Sequence, residues 1–184
     1  MSKAAMLSIR PKWVEKIASG EKTIEVRKTR PKLDTPFRCY IYCTIDGIKK
    51  MPNDYIAESV DRGKVIGEFT CERIVPITYD GGRLWCPTNA AFSPATCLSQ
   101  AEIIAYIGDK GRCYGWHISD LLIYDQPREL SEFRRATDPC DSCHAEYTWE
   151  CTDCKKLGGD IKRPPQSWCY VEAMDGERKD GGDG

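Results

Sequence analysis

The chain has 184 residues, 41% hydrophobic and 30% charged, with 27 Lys and Arg against 28 Asp and Glu for a net charge of -1. That length suits one domain with a small appended module, and the composition excludes a disordered or fibrous chain. The balanced charge excludes a protein that coats nucleic acid over its whole surface, and no run approaches the roughly 20 apolar residues of a membrane span.

The opening MSKAAMLSIRPKW lacks the apolar core of a signal peptide, so a cytoplasmic location is expected. Eleven cysteines, an odd number without a secretory leader, point to a reducing compartment rather than a disulfide scaffold. Ala4 to Ile9 reads as a short apolar strand. Pro11 then opens a helix whose Trp13, Val14 and Ile17 share a face, and Gly20 ends it. From Thr23 to Lys28 a second strand sets Thr23, Glu25 and Arg27 on one face and Ile24 and Val26 on the other. Between Ser8 and Arg38 there are nine Lys or Arg against four acids. A solvated basic face would give the same count.

Phe37 to Thr44 and Val65 to Cys71 alternate apolar and polar residues as strands with one core face. Tyr79 to Cys97 carries Gly81, Gly82, Pro87 and Pro94 and reads as loop, after which Ser99 caps a helix that turns Ile103, Ile104 and Ile107 inward. Arg112 to Ser119 and Leu121 to Tyr124 supply two further strands. Residues 137–163 break the pattern as a polar, cysteine-paired insertion. Trp168 to Val171 is expected to return to the sheet that the first strand opened, and the Gly, Asp and Lys tail over residues 175–184 to be disordered. The implied fold is mainly β with helices (α+β), a small β-barrel formed by residues 4–136 and 164–174.

Cys140, Cys143, Cys151 and Cys154 form two CxxC hooks seven residues apart, a spacing that presents four thiolates tetrahedrally to one structural zinc ion. Iron is the rival metal, and His144 lies beside Cys143 as a bystander. So small a module holds no core of its own, and its folding energy is expected to come from the metal. The remaining cysteines, Cys39, Cys43, Cys71, Cys86, Cys97, Cys113 and Cys169, mostly fall at inward strand positions, as small core residues do.

The segments SIRPKWVEKIASGEKTIEVRKTRP, GKVIGEFTCERI, YGWHISDLLIYDQPRELSEF and PPQSWCYVE together resemble the ASCH family, whose members share a barrel similar to the RNA-binding PUA domain. This resemblance implies a basic cleft beside the GEKTIEVR turn that holds RNA or a nucleotide. Lys22, Arg27, Lys28 and Arg30 would face phosphates, Glu25 a base amino group, and Trp116 or Tyr114 the ring of a base. Some bacterial relatives remove the acetyl group from N4-acetylcytidine with a lysine, a threonine and a glutamate. Lys22, Thr23 and Glu102 are the nearest counterparts here, although Glu25 stands where those relatives carry the nucleophilic threonine. His117 alternates with Trp116 and Ile118 as a packed or surface histidine. Three functions are thus open: RNA or nucleotide binding, hydrolysis of an acylated cytidine-type nucleoside, and capture of a protein partner through the zinc module. Lys155, Lys156, Lys162 and Arg163 would extend a basic track beside the hooks.

Overall fold

The computed structural model describes residues 2–45, 62–87, 92–136 and 159–174. The hook cysteines Cys140, Cys143, Cys151 and Cys154, with His144, Lys155, Lys156 and the tail after residue 174, lie outside these. The described elements are β1 (Lys3–Ile9), α1 (Pro11–Ala18), β2 (Ile24–Arg27), β3 (Phe37–Cys43), β4 (Val65–Asp80), β5 (Arg83–Trp85), α2 (Phe92–Thr96), α3 (Gln100–Ile107), β6 (Arg112–Arg128), β7 (Arg134–Arg135), β8 (Gly159–Asp160) and β9 (Trp168–Glu172).

All described strands join one sheet in the order β2-β6-β4-β3-β1-β9-β7-β8, with β5 hairpinned onto β4. β1 pairs parallel with β3 and antiparallel with β9, so both of its edges are bonded, and both of its faces are packed, which suits its unbroken apolar run. One face carries Leu7 and Ile9 into a cluster with Val14 and Ile17 of α1 and Phe69 of β4. The other carries Ala4 and Met6 against Tyr40, Phe133 and Ile161. A third cluster seats Ile103 and Ile107 of α3 on Val26, Ile77 and Cys113.

The expected closed barrel is corrected to an open sheet. The two ends of the order, β2 and β8, do not pair. The sheet nevertheless rolls far enough for Trp116 on β6 and Trp168 on β9, with three strands between them, to meet edge to face at 5.6 Å. The edge strand β2 is four residues long. Side chains span the seam in place of a ladder: Arg27 Nη2 donates to the Ser8 carbonyl at 2.8 Å, and Trp168 Nε1 donates to Thr29 Oγ1 at 2.9 Å.

Three sequence expectations change in detail. The strands expected at Arg112–Ser119 and Leu121–Tyr124 are one strand, β6, bent at Asp120 (φ 47°). There Thr70 faces Ser119 and Glu68 faces Leu122, so two residues of β6 oppose one of β4, a β-bulge. The loop expected from Tyr79 holds the β4–β5 hairpin and α2. Within the expected insertion, Gly159–Asp160 pairs with β7, and Ile161 is buried with its N–H bonded to the Phe133 carbonyl. No helix among the described residues is long and apolar enough to cross a membrane.

Candidate functional site

The helix–turn–strand of the N-terminal segment builds the site. Pro11 opens α1, and the chain reverses at Gly20, whose φ of +77° favours glycine. The Lys22 N–H bonds back to the Lys16 carbonyl, and the Thr23 N–H bonds to Ala95 of α2. This reversal buries Lys22, which is 2% exposed, beside Glu25 at 4%.

Lys22 Nζ donates to the carbonyls of Ile24 (2.8 Å) and Thr96 (2.7 Å) and lies 3.3 Å from Glu25 Oε2. Three acceptors match the three hydrogens of an ammonium. The other carboxylate oxygen, Oε1, pairs with Arg27 Nη1 at 2.9 Å. Two cations around one carboxylate leave the cluster with a net charge of +1. Desolvation makes such a surplus costly unless an anion joins it. The Trp13 ring lies 5.3 Å from the ammonium.

A cavity of about 900 Å³ opens on this network. It occupies the seam of the unclosed sheet, with Glu25, Arg27 and Lys28 on one side and Ser8 and the segment 164–167 on the other. Trp13, Leu98 and Tyr106 give it apolar walls. Burial raises the Tyr106 phenol above its ordinary value, against the pull of the Arg27 charge. Two polar atoms of cavity-lining residues, Arg27 Nε and Thr44 Oγ1, are buried without a hydrogen-bond partner among the described residues. Both can receive an acceptor on a ligand.

The expected site residues divide. Glu25, Arg27 and Lys28 line the cavity, and Glu102 stands on its wall. Lys22 sits behind Glu25 and is not part of the lining. Glu102 closes a capping box: its Oε2 accepts the Ser99 N–H and hydroxyl at 2.8 Å each, while its own N–H bonds Ser99 Oγ. Those bonds hold its carboxyl below the usual range, led by the Ser99 N–H. Thr23 is exposed and opens onto a separate hollow of about 330 Å³ with Arg73 and His117. Trp116 is 0% exposed, packed between Phe37 and Trp168, and offers no face to a ligand.

Arg30 and Tyr114 line a neighbouring hollow. Sequence reasoning passed over Trp13, Tyr106 and Thr44. Trp13 carried a signal, being the outermost apolar residue on the helical face; Tyr106 and Thr44 carried none. Among the described residues no group of acids, histidines and cysteines is placed to hold a metal.

The ASCH domain model matches residues 7–82, which hold α1, the Gly20 reversal and β2 through β4. No curated protein matches the chain. Among solved structures, a tyrosine-to-phenylalanine mutant of the ASCH protein from Zymomonas mobilis aligns with a TM-score of 0.57 at 19% identity, over 93% of this chain and 91% of that one. The crystal structure of ASCH from the same organism aligns at 0.55 and 20%, over 92% and 87%. A serine-to-alanine mutant aligns at 0.54 and 20%, over 92% and 88%. Beyond residue 82 the likeness is one of fold. Residues 7–82 are thus similar to the ASCH domain, within a mainly β fold that resembles the Zymomonas mobilis protein across nearly the whole chain.

Proposed function

We propose that the chain binds RNA or a nucleotide in the seam cavity. The observation that carries this reading is the buried Lys22–Glu25–Arg27 cluster: it holds a surplus positive charge at a cavity large enough for a nucleotide and walled by aromatic rings. A phosphate answers the charge, a base stacks on Trp13 or Tyr106, and the spare lone pairs of Glu25 accept a base amino group. Lys22 acts at one remove by fixing the carboxylate.

Nucleotides should raise the melting temperature of the protein, and at a hundredfold excess over Kd the gain corresponds to about 2.7 kcal/mol. The double variant Arg10→Ser/Thr44→Val, altered at two cavity-lining residues outside the ion cluster, should lose most of that gain. An equal gain in the variant would remove the cavity from the account.

Hydrolysis of an N4-acylated cytidine finds less support. Thr23 faces a different hollow from Glu25 and Glu102, and all three hydrogens of Lys22 are engaged. We also propose, from spacing alone, a structural zinc ion on Cys140, Cys143, Cys151 and Cys154 in a cytoplasmic protein. One zinc per chain is expected by mass spectrometry of the native protein, and Cys143→Ser should abolish it. A protein-partner role for that module rests on nothing further.

A further inference from the structure

Beside the seam cavity lies a second hollow of about 450 Å³, lined by Lys28, Thr29, Arg30, Lys110, Arg112 and Tyr114. It shares Lys28, Thr29 and Lys110 with the cavity, so the two adjoin. Four of its six residues are cations and none is an acid.

The register explains this concentration. β2 pairs antiparallel with β6, setting Arg27 opposite Tyr114, so the basic residues that follow β2 meet those that precede Tyr114. Lys110 and Arg112 flank Gly111, whose φ of +66° turns the chain and whose carbonyl accepts the Tyr79 N–H at 2.9 Å. That bond ties the turn to β4. Three exposed or half-buried cations elsewhere are matched with acids: Lys16 with Glu21, Arg38 with Glu68, Lys64 with Glu129. Among the described residues Arg30, Lys110 and Arg112 have no such partner, and Lys28 rests over the Tyr106 ring at 5.2 Å.

A mononucleotide in the cavity leaves this hollow without a ligand, whereas a chain of phosphodiesters fills both. Accordingly, and resting on the nucleotide reading of the cavity, we propose that the ligand is a single-stranded RNA oligonucleotide. One nucleotide occupies the cavity, and the adjoining phosphates lie along Arg30, Lys110 and Arg112, with the half-buried Tyr114 ring under a flanking base. The ligand is single-stranded because a base must leave its stack to enter the seam.

The test compares labelled octamer RNA with the four ribonucleoside monophosphates on the full chain. Arg30→Ser/Arg112→Ser alters two exposed residues that line the second hollow and not the cavity, and melting confirms its fold. It should weaken octamer binding at least tenfold. It should also flatten the dependence of log affinity on log salt by about 1.4, from roughly 0.7 per released phosphate contact, and leave monophosphate binding within twofold. Arg134→Ser/Arg135→Ser removes the same charge from residues that line neither space and should change nothing. Unchanged octamer affinity in Arg30→Ser/Arg112→Ser, or equal losses for octamer and monophosphate, overturns the proposal. Octamer binding that depends on Arg30 and Arg112 but ignores Arg10→Ser/Thr44→Val keeps the backbone track and sinks the cavity. Absence of binding by either probe sinks both.

Discussion

Glu25 is the residue on which the buried network turns, because it alone is negative. Glu25→Gln leaves an ammonium and a guanidinium buried without a counter-charge, and the expected loss is about 3–5 kcal/mol by urea unfolding. Lys22→Met leaves a matched Glu25–Arg27 pair and two carbonyls without their donor, at about 2 kcal/mol. The reverse ranking would mean that the ammonium, not the carboxylate, organises the turn. The half-buried His117 tests the cost of charging a group away from solvent. Burial lowers its pKa, the nearby Arg73 lowers it further, and Glu72 opposes them. Below the unfolded value near 6.5, the unfolded chain then binds more protons than the folded one. Stability is therefore lost as pH falls through that window. His117→Asn should shrink the difference between urea midpoints at pH 7 and pH 5, and an unaltered difference would assign that slope to carboxylates.

At the scale of elements, what the sequence showed depended on local punctuation. Pro11 and Gly20 bracket α1, and Ser99 with Glu102 opens α3 as the S-x-x-E pattern predicts. Ser99→Ala should cost about 1 kcal/mol, read in the same unfolding measurement. The outer half of β4 was hidden because Pro76 interrupts its pattern. That proline is tolerated where β4 has left β3, whose pairing ends at Cys71. The bend at Asp120 was equally hidden, since a bulge belongs to two strands and the sequence displays one. Gly67 marks the tight crossing beside it: a Cβ there would lie 2.4 Å from the Leu122 carbonyl oxygen. Gly67→Ala should therefore destabilise by about 2–3 kcal/mol, within the usual cost of overpacking. A neutral result would show that β4 and β6 can slide apart.

For the molecule as a whole, the sheet system and its core were legible, and the seam was not. Alternation placed Trp116 on a strand face, but only the rolling of the sheet decides whether that face looks into the core or into a cleft. It looks into the core, and the aromatic walls of the cleft come instead from the helices through Trp13 and Tyr106. The charge of the site follows the same logic. A net charge of -1 conceals a basic track because Lys28, Arg30, Lys110 and Arg112 converge only when β2 pairs with β6.

The position of β1 between β3 and β9 has a consequence for biosynthesis. Five residues of β1 take partners from Trp168 to Glu172, more than 160 positions later in translation. While the nascent chain is still on the ribosome, one edge of its first strand stands bare, and Ala4 and Met6 lack the cover of Val171. The fold is completed only after residue 172 leaves the exit tunnel, so until then a chaperone that shields apolar strand edges has its natural client.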